Sequence, residues 1–140
     1  MIFLDTSVLV AVAQVKHPHH AASRGLWERC EHGRAAASAH TLAELYSILS
    51  SVPAPLRLSP RNAMTAVEVF LLRMTPVSLT AEEYIEVLGR TSGLGLSGGA
   101  IYDALHVACA RKIHAERIYT WNVRHFQMVA PDLAERIATP

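Results

Sequence analysis

The sequence predicts an α/β protein of three layers, a central and mainly parallel sheet between two layers of helices. Three observations carry that expectation. Short apolar runs alternate with segments of helical periodicity along the whole chain. The apolar fraction of 51% is slightly above the globular average and the charged fraction of 18% is low, as a well-buried layered fold requires. One short run contains a proline, which sheets tolerate essentially only at an edge.

The elements follow in order. Ile2-Phe3-Leu4 reads as a short buried strand, and Thr6 or Ser7 as the N-cap of a helix through Val15. "KHPHH" is a loop, and residues 20–32 form a helix with Ala22, Leu26 and Cys30 on one stripe. "AAAS", 35–38, is a weak second strand. A helix over 39–51 turns Leu42, Leu45 and Leu49 inward. "SVPAPLRLSP" is a proline-punctuated connector to the amphipathic helix 61–72, with Ala63, Ala66, Val67, Phe70 and Leu71 on its apolar face. "MTPVSL" is a strand that Pro76 assigns to an edge. Ala81, Tyr84, Ile85 and Leu88 mark another helix, "SGLGLSGG" (92–99) a glycine-rich loop, and 100–112 a nearly all-apolar helix. A strand over 117–120, a short helix over 123–128 and a last strand over 136–139 complete the chain.

Residues 1–140 are expected to form a single domain, long enough for a full core without metal or disulfide staples. A formal charge of +1 provides no overall field toward polyanions or membranes, so any such binding needs a local patch. Cys30 and Cys109 lie outside metal or CxxC spacing and are expected as buried free thiols. No apolar run reaches membrane-spanning length, and no Lys or Arg precedes the first one. The setting expected from these features is the cytoplasm.

In open parallel sheets the ligand crevice lies beyond the carboxyl ends of the strands. Asp5 ends the first strand, Asn122 follows the strand ending at Thr120, and Glu44 lies one to two turns into the helix after the second strand. Asp103 is near the start of the helix after the glycine loop, set among Ile101, Tyr102, Ala104, Leu105 and Val107. Each has a plainer reading: Asp5 as a helix cap, Glu44 as a solvated acid on a polar stripe with His40, Thr41 and Ser47, Asn122 as a turn residue. Asp103 resists one, because acids buried on an apolar helix are paired or metal-bound. If Asp5, Glu44 and Asp103 converge, carboxylates near 4 Å repel by roughly 4 kcal/mol at an effective dielectric of about 20. No run of Lys or Arg offsets that repulsion. Hard oxygen donors without cysteine then point to Mg²⁺ or Mn²⁺, which suits phosphodiester hydrolysis.

Four segments, "MIFLDTSVLV", "TLAEL", "GGAIYDALHVACA" and "IYTWNVRHF", resemble in order the motif regions of the PIN domain, and most nearly those of VapC-type toxins. The resemblance spans essentially the whole chain. It implies a PIN-like sandwich on a five-stranded sheet of order 3-2-1-4-5 and Mg²⁺- or Mn²⁺-dependent endoribonuclease activity on RNA. It also implies a VapB-type antitoxin partner and a homodimer. By resemblance Asp5, Glu44 and Asp103 are the acidic metal site, supported by hydrogen bonds from Thr6, Ser7 and Thr120. The sequence departs from the family at Asn122, where many members carry a fourth acid; the amide oxygen can orient a water but adds no charge. A three-carboxylate site of weaker metal affinity, limited to one tightly bound ion, is therefore expected.

His106 and His125 each lie one turn from a site residue, Asp103 and Asn122, where either could meet a phosphate. Arg124 and Arg111 are candidate RNA contacts, although solvated helix ends explain them equally well. His17, His19 and His20 lack a completing ligand and read as a surface loop. "GLGLSGG" lacks the lysine-containing ending of a phosphate loop. The helices flanking the proline connector could leave a groove for a partner helix. An aspartyl-phosphate phosphatase would need D-x-D after the first strand, where "DTS" lacks the second acid, and a receiver domain paired acids there and a phosphoacceptor acid after the third strand, which "TPVSLT" does not supply. The remaining alternative is a catalytically weak PIN-like module that binds RNA or protein.

Overall fold

The computed structural model describes residues 1–140. Its strands are β1 (Ile2–Leu4), β2 (Ala35–Ser38), β3 (Met74–Val77), β4 (Arg117–Tyr119) and β5 (Ile137–Ala138). They form one sheet in the order β3-β2-β1-β4-β5. Every pairing is parallel, from Ile2 opposite Ala35 and Arg117 to Ile118 opposite Ile137. Pro76 lies opposite Ala37 on edge strand β3, as its missing N–H requires.

The connecting helices are α1 (Thr6–Ala13), α2 (His20–Arg29), α3 (Ala39–Ser51), α4 (Pro60–Leu71), α5 (Ala81–Gly93), α6 (Ala100–Lys112) and α7 (Val123–Val129). Strand alternation divides the core into two layers. Leu4, Ala35, Ala37 and Met74 pack with Val8, Leu9, Leu45, Leu49, Val67 and Phe70 of α1, α3 and α4. Phe3, Ala36 and Ile118 point the other way, against Val107, Ala110, Phe126 and Val129 of α6 and α7. Alanine is a poor strand former, yet Ala35, Ala36 and Ala37 are all buried in β2, where a small side chain fits under helices on both faces.

Local chemistry explains most boundaries. Ser59 caps α4 and Pro60 opens it, and Thr80 with Glu83 forms a capping box on α5. The N-cap of α1 is Asp5, not Thr6 or Ser7: Asp5 has extended backbone and accepts from the Ser7 N–H at 3.4 Å. That helix stops at Ala13 rather than Val15, ahead of the turn containing Pro18, and α2 stops at Arg29. The predicted glycine loop begins later than expected, because α5 runs to Gly93. Gly95, at φ +70°, closes that helix, with its N–H on Ser92 O and the Leu96 N–H on Thr91 O. Pro131–Arg136 forms a 3-10 helix that the sequence reading lacks, being too short to show periodicity. None of the helices is long and apolar enough to cross a membrane.

The cysteines correct a further expectation. Both are free, but only Cys109 is buried; Cys30 terminates α2 and is partly open. Burial pushes the Cys109 thiol up to about 11. At pH 8 its thiolate is then only about one part in a thousand. Iodoacetamide at that pH should modify Cys30 first and reach Cys109 only after denaturation. Equal labelling of both in the native protein, read by peptide mass spectrometry, would contradict this packing.

Candidate active site

The chain order reverses at β1, whose two neighbours are β2 and β4, so the crevice expected of a parallel sheet opens beyond Leu4 and Tyr119. Asp5 leaves β1 there with its N–H on Tyr119 O at 3.0 Å. Its carboxylate is 4% exposed in the residue as a whole, and one oxygen carries most of the hydrogen bonding. Asp5 Oδ2 accepts from Ser7 Oγ at 2.6 Å and Thr120 Oγ1 at 2.8 Å, in addition to the Ser7 N–H. Ser7 Oγ also accepts from the Trp121 N–H, and Thr120 Oγ1 from the Asn122 N–H. Two hydroxyls thus bridge β1 to the loop after β4 and fix the carboxylate.

Glu44 reaches the same place from α3. Thr6 Oγ1 donates to Glu44 Oε2, and His106 Nε2 lies 3.1 Å from that oxygen. The His106 ring is itself buried, with Nδ1 2.8 Å from Ser38 Oγ. Ser38 caps α3 through the Thr41 N–H, so the residue that starts the helix also orients the histidine opposite it. His40, one turn before Glu44, places Nε2 at 3.6 Å from Glu44 Oε1.

Asp103 comes from the first turn of α6, next to Asp5 across the crevice. His125 Nδ1 is 3.9 Å from Asp103 Oδ2. Burial, then the negative charge of Asp5, push the Asp103 carboxyl above its usual range despite the nearby histidines. Burial disfavours charge on His106 as well, but its bond to Glu44 and the charges of Asp5, Glu44 and Asp103 outweigh that and raise its pKa. For Glu44 burial acts upward and is overcome by the His106 and Thr6 hydrogen bonds, which leave its pKa lowered. The closest ring nitrogen thus serves Glu44, at 3.1 Å, while those nearest Asp5 and Asp103 stand at 3.9 Å.

These residues share one concavity of about 190 Å³, lined by Asp5, Thr6, Ser7, Glu44, Asp103, His106 and Asn122. Arg124 and His125 line an adjoining hollow with Asp103. Arg111 does not join them. It lies eight residues further along α6, about 12 Å along the axis, and forms a two-pronged ion pair with Asp132 at 2.6 and 2.7 Å. Sequence reasoning missed Ser38, Thr41 and Tyr102 as members or supports of the site. The cap position of Ser38 was readable, but its contact with His106 spans 68 residues.

The donor set is hard oxygen throughout. Asp5 Oδ1 and the Asp103 carboxylate are the least committed, whereas Glu44 is engaged by His106 and Thr6. No three Asp, Glu, His or Cys side chains are gathered tightly enough to enclose an ion by themselves. The arrangement fits a cation that keeps several of its waters, as Mg²⁺ does.

Comparison with known proteins agrees with this architecture. Residues 2–130 match the PIN domain. The chain is 36% identical over 135 residues to Ribonuclease VapC27 of Mycobacterium tuberculosis, covering 96% of this chain and 90% of that protein. The crystal structure of M. tuberculosis VapC20, a sarcin-ricin loop cleaving toxin, superposes with a TM-score of 0.73 at 21% identity, over 89% of this chain and 92% of that one. VapBC2 from Rickettsia felis, solved bound to a DNA fragment from its promoter, superposes with a TM-score of 0.65 at 22% identity, over 99% of this chain and 98% of that one. The chain is a PIN domain protein of the VapC ribonuclease family.

Proposed function

We propose that this protein is the toxin of a type II toxin–antitoxin pair, an endoribonuclease that hydrolyses RNA phosphodiester bonds with Mg²⁺ or Mn²⁺ at the acidic concavity. The observation that carries the reading is the meeting of Asp5, Glu44, Asp103 and Asn122 in one hollow, although they come from four separate segments of the chain. Asp5 and Asp103 would hold the cation directly, with Glu44 close enough to join them or to anchor one of the ion's waters. A divalent cation there supplies Lewis-acid polarisation of a phosphoryl oxygen and lowers the pKa of a water nucleophile.

The chain's own residues do the rest. Ser7 and Thr120 hold Asp5 through Oδ2 and leave Oδ1, 3.9 Å from His106 Nε2, without a hydrogen bond. Thr6 and His106 fix Glu44, and the exposed Asn122 can orient a water through its amide oxygen. Arg124 and His125 stand where a phosphate next to the scissile one would pass. A VapB-type antitoxin, a homodimeric state and a cytoplasmic location complete the proposal; the likeness to a VapBC structure supports the first.

The test is cleavage of total cellular RNA by purified protein with Mg²⁺, with Mn²⁺ and with EDTA. Discrete fragments that require the cation are expected, with EDTA reducing cleavage to background and added Mg²⁺ restoring it. Cation-independent cleavage, or none under any condition, would instead favour a PIN-like module that binds without cutting.

A further inference from the structure

We propose that His40 and Tyr102 form a stacking platform for one unpaired RNA base beside the acidic concavity. The proposal rests on the ribonuclease reading of that concavity. The two rings lie 5.4 Å apart between centroids and 5° from parallel, an offset stack. Tyr102 immediately precedes Asp103 on α6 and lines the concavity with Asp5, Glu44 and Asp103, yet it remains 50% exposed.

A single exposed aromatic is ordinary on a protein surface. Tyr102 differs in where it stands and in what holds it. Its stacking partner His40 lies on α3 one turn from Glu44, with Nε2 3.6 Å from Glu44 Oε1. The platform and the acids therefore share one framework, and the ring is oriented before any ligand arrives. On the far side of Asp103, Arg124 and His125 line the adjoining hollow. A strand laid across the site would put a phosphate at the acids, its base on Tyr102, and a neighbouring phosphate at Arg124. In a duplex, base faces are covered by their neighbours, so only an unstacked base can reach the ring. Stacking is tolerant of base identity, so the platform selects strandedness more than sequence.

The experiment uses the Asp103→Asn protein, to prevent cleavage, with Mg²⁺ and single-stranded RNA oligonucleotides carrying one 2-aminopurine at successive positions. At one position the fluorescence should be quenched on binding. Adding Tyr102→Ala should abolish that quench and weaken binding about tenfold, the scale of one stacked base. Tyr102→Phe should retain both, since the ring face does the work, and duplex RNA should compete poorly. In the cleaving protein, Tyr102→Ala should raise KM more than it lowers kcat.

Equal affinity and equal quench in Tyr102→Ala would overturn the platform and leave the ribonuclease reading intact. No oligonucleotide binding by Asp103→Asn, together with no cation-dependent cleavage by the unsubstituted protein, would overturn the ribonuclease reading and the platform with it.

Discussion

Asp5→Asn should reduce RNA cleavage by on the order of 10³-fold, the scale of losing one group that stabilises transition-state charge, while leaving the fold in place. The expectation follows from the two different tasks of the Asp5 carboxylate. Oδ2 is structural: it accepts from Ser7 and Thr120 and caps α1. Asparagine can present its amide oxygen to those donors and is as good a cap as aspartate. What it cannot supply is the negative charge that the proposed cation site takes from Asp5 and Asp103. Asp5→Ala should be inactive for a second reason. It leaves the Thr120 and Ser7 hydroxyls without their shared acceptor and removes the cap, at a cost of about 1–3 kcal/mol for the buried unsatisfied donors. Cleavage rates and urea midpoints measured on both variants separate the two tasks. If Asp5→Asn unfolds as readily as Asp5→Ala, the charge itself is structural; if it cleaves near the unsubstituted rate, the metal assignment is wrong.

The same two tasks explain which parts of the site could be read from the sequence. Asp5 was conspicuous because a carboxylate interrupts an apolar run, and Asp103 because it stands on an apolar helix face; each breaks a local pattern. The parallel sheet follows from alternating elements, its strand order only from the family resemblance, and Pro76 independently places β3 at an edge. His106 is noticeable in the sequence only as a neighbour of Asp103; its role depends on Ser38 and Glu44, which lie 68 and 62 residues away and meet it only in the fold. Arg111 is the converse. It shares a helix with Asp103, but 3.6 residues per turn and eight residues of rise carry it to the other end, where Asp132 occupies it. Helix ends differ from the main sequence reading where one residue decides them: Asp5, which the sequence offers as a cap only in its plainer reading, at the start of α1, and Gly95, through its positive φ, beyond the end of α5. The stack of Tyr102 on His40 left no trace in the sequence, since it joins α3 to α6 through two residues ordinary for their helices.

Phe126→Ala should cost about 3–5 kcal/mol, the range for emptying a large aromatic from a tight core. Phe126 is fully buried and packs within the layer formed by Phe3, Ala36, Val107 and Ile118. It also lies 6.3 Å from the His106 ring at an interplanar angle of 11°. Helix α7 spans only seven residues, too few to persist on local hydrogen bonds, so its two buried side chains, Phe126 and Val129, hold it to the sheet. A domain of this size has about 5–15 kcal/mol of stability, so the substitution should remove roughly a fifth or more of it, read as a lowered urea midpoint at unchanged m-value. The damage should not stop at stability. Arg124 and His125 ride on α7 beside Asp103, and His106 would lose the ring that flanks it on the side of that helix. Cleavage under conditions where the variant is still folded should therefore fall as well, whereas Val67→Ala, in the opposite core layer, should destabilise without that loss. Equal residual activity in the two variants at matched folded fraction would show that α7 is a structural support alone and that the site is built by β1, α3 and α6.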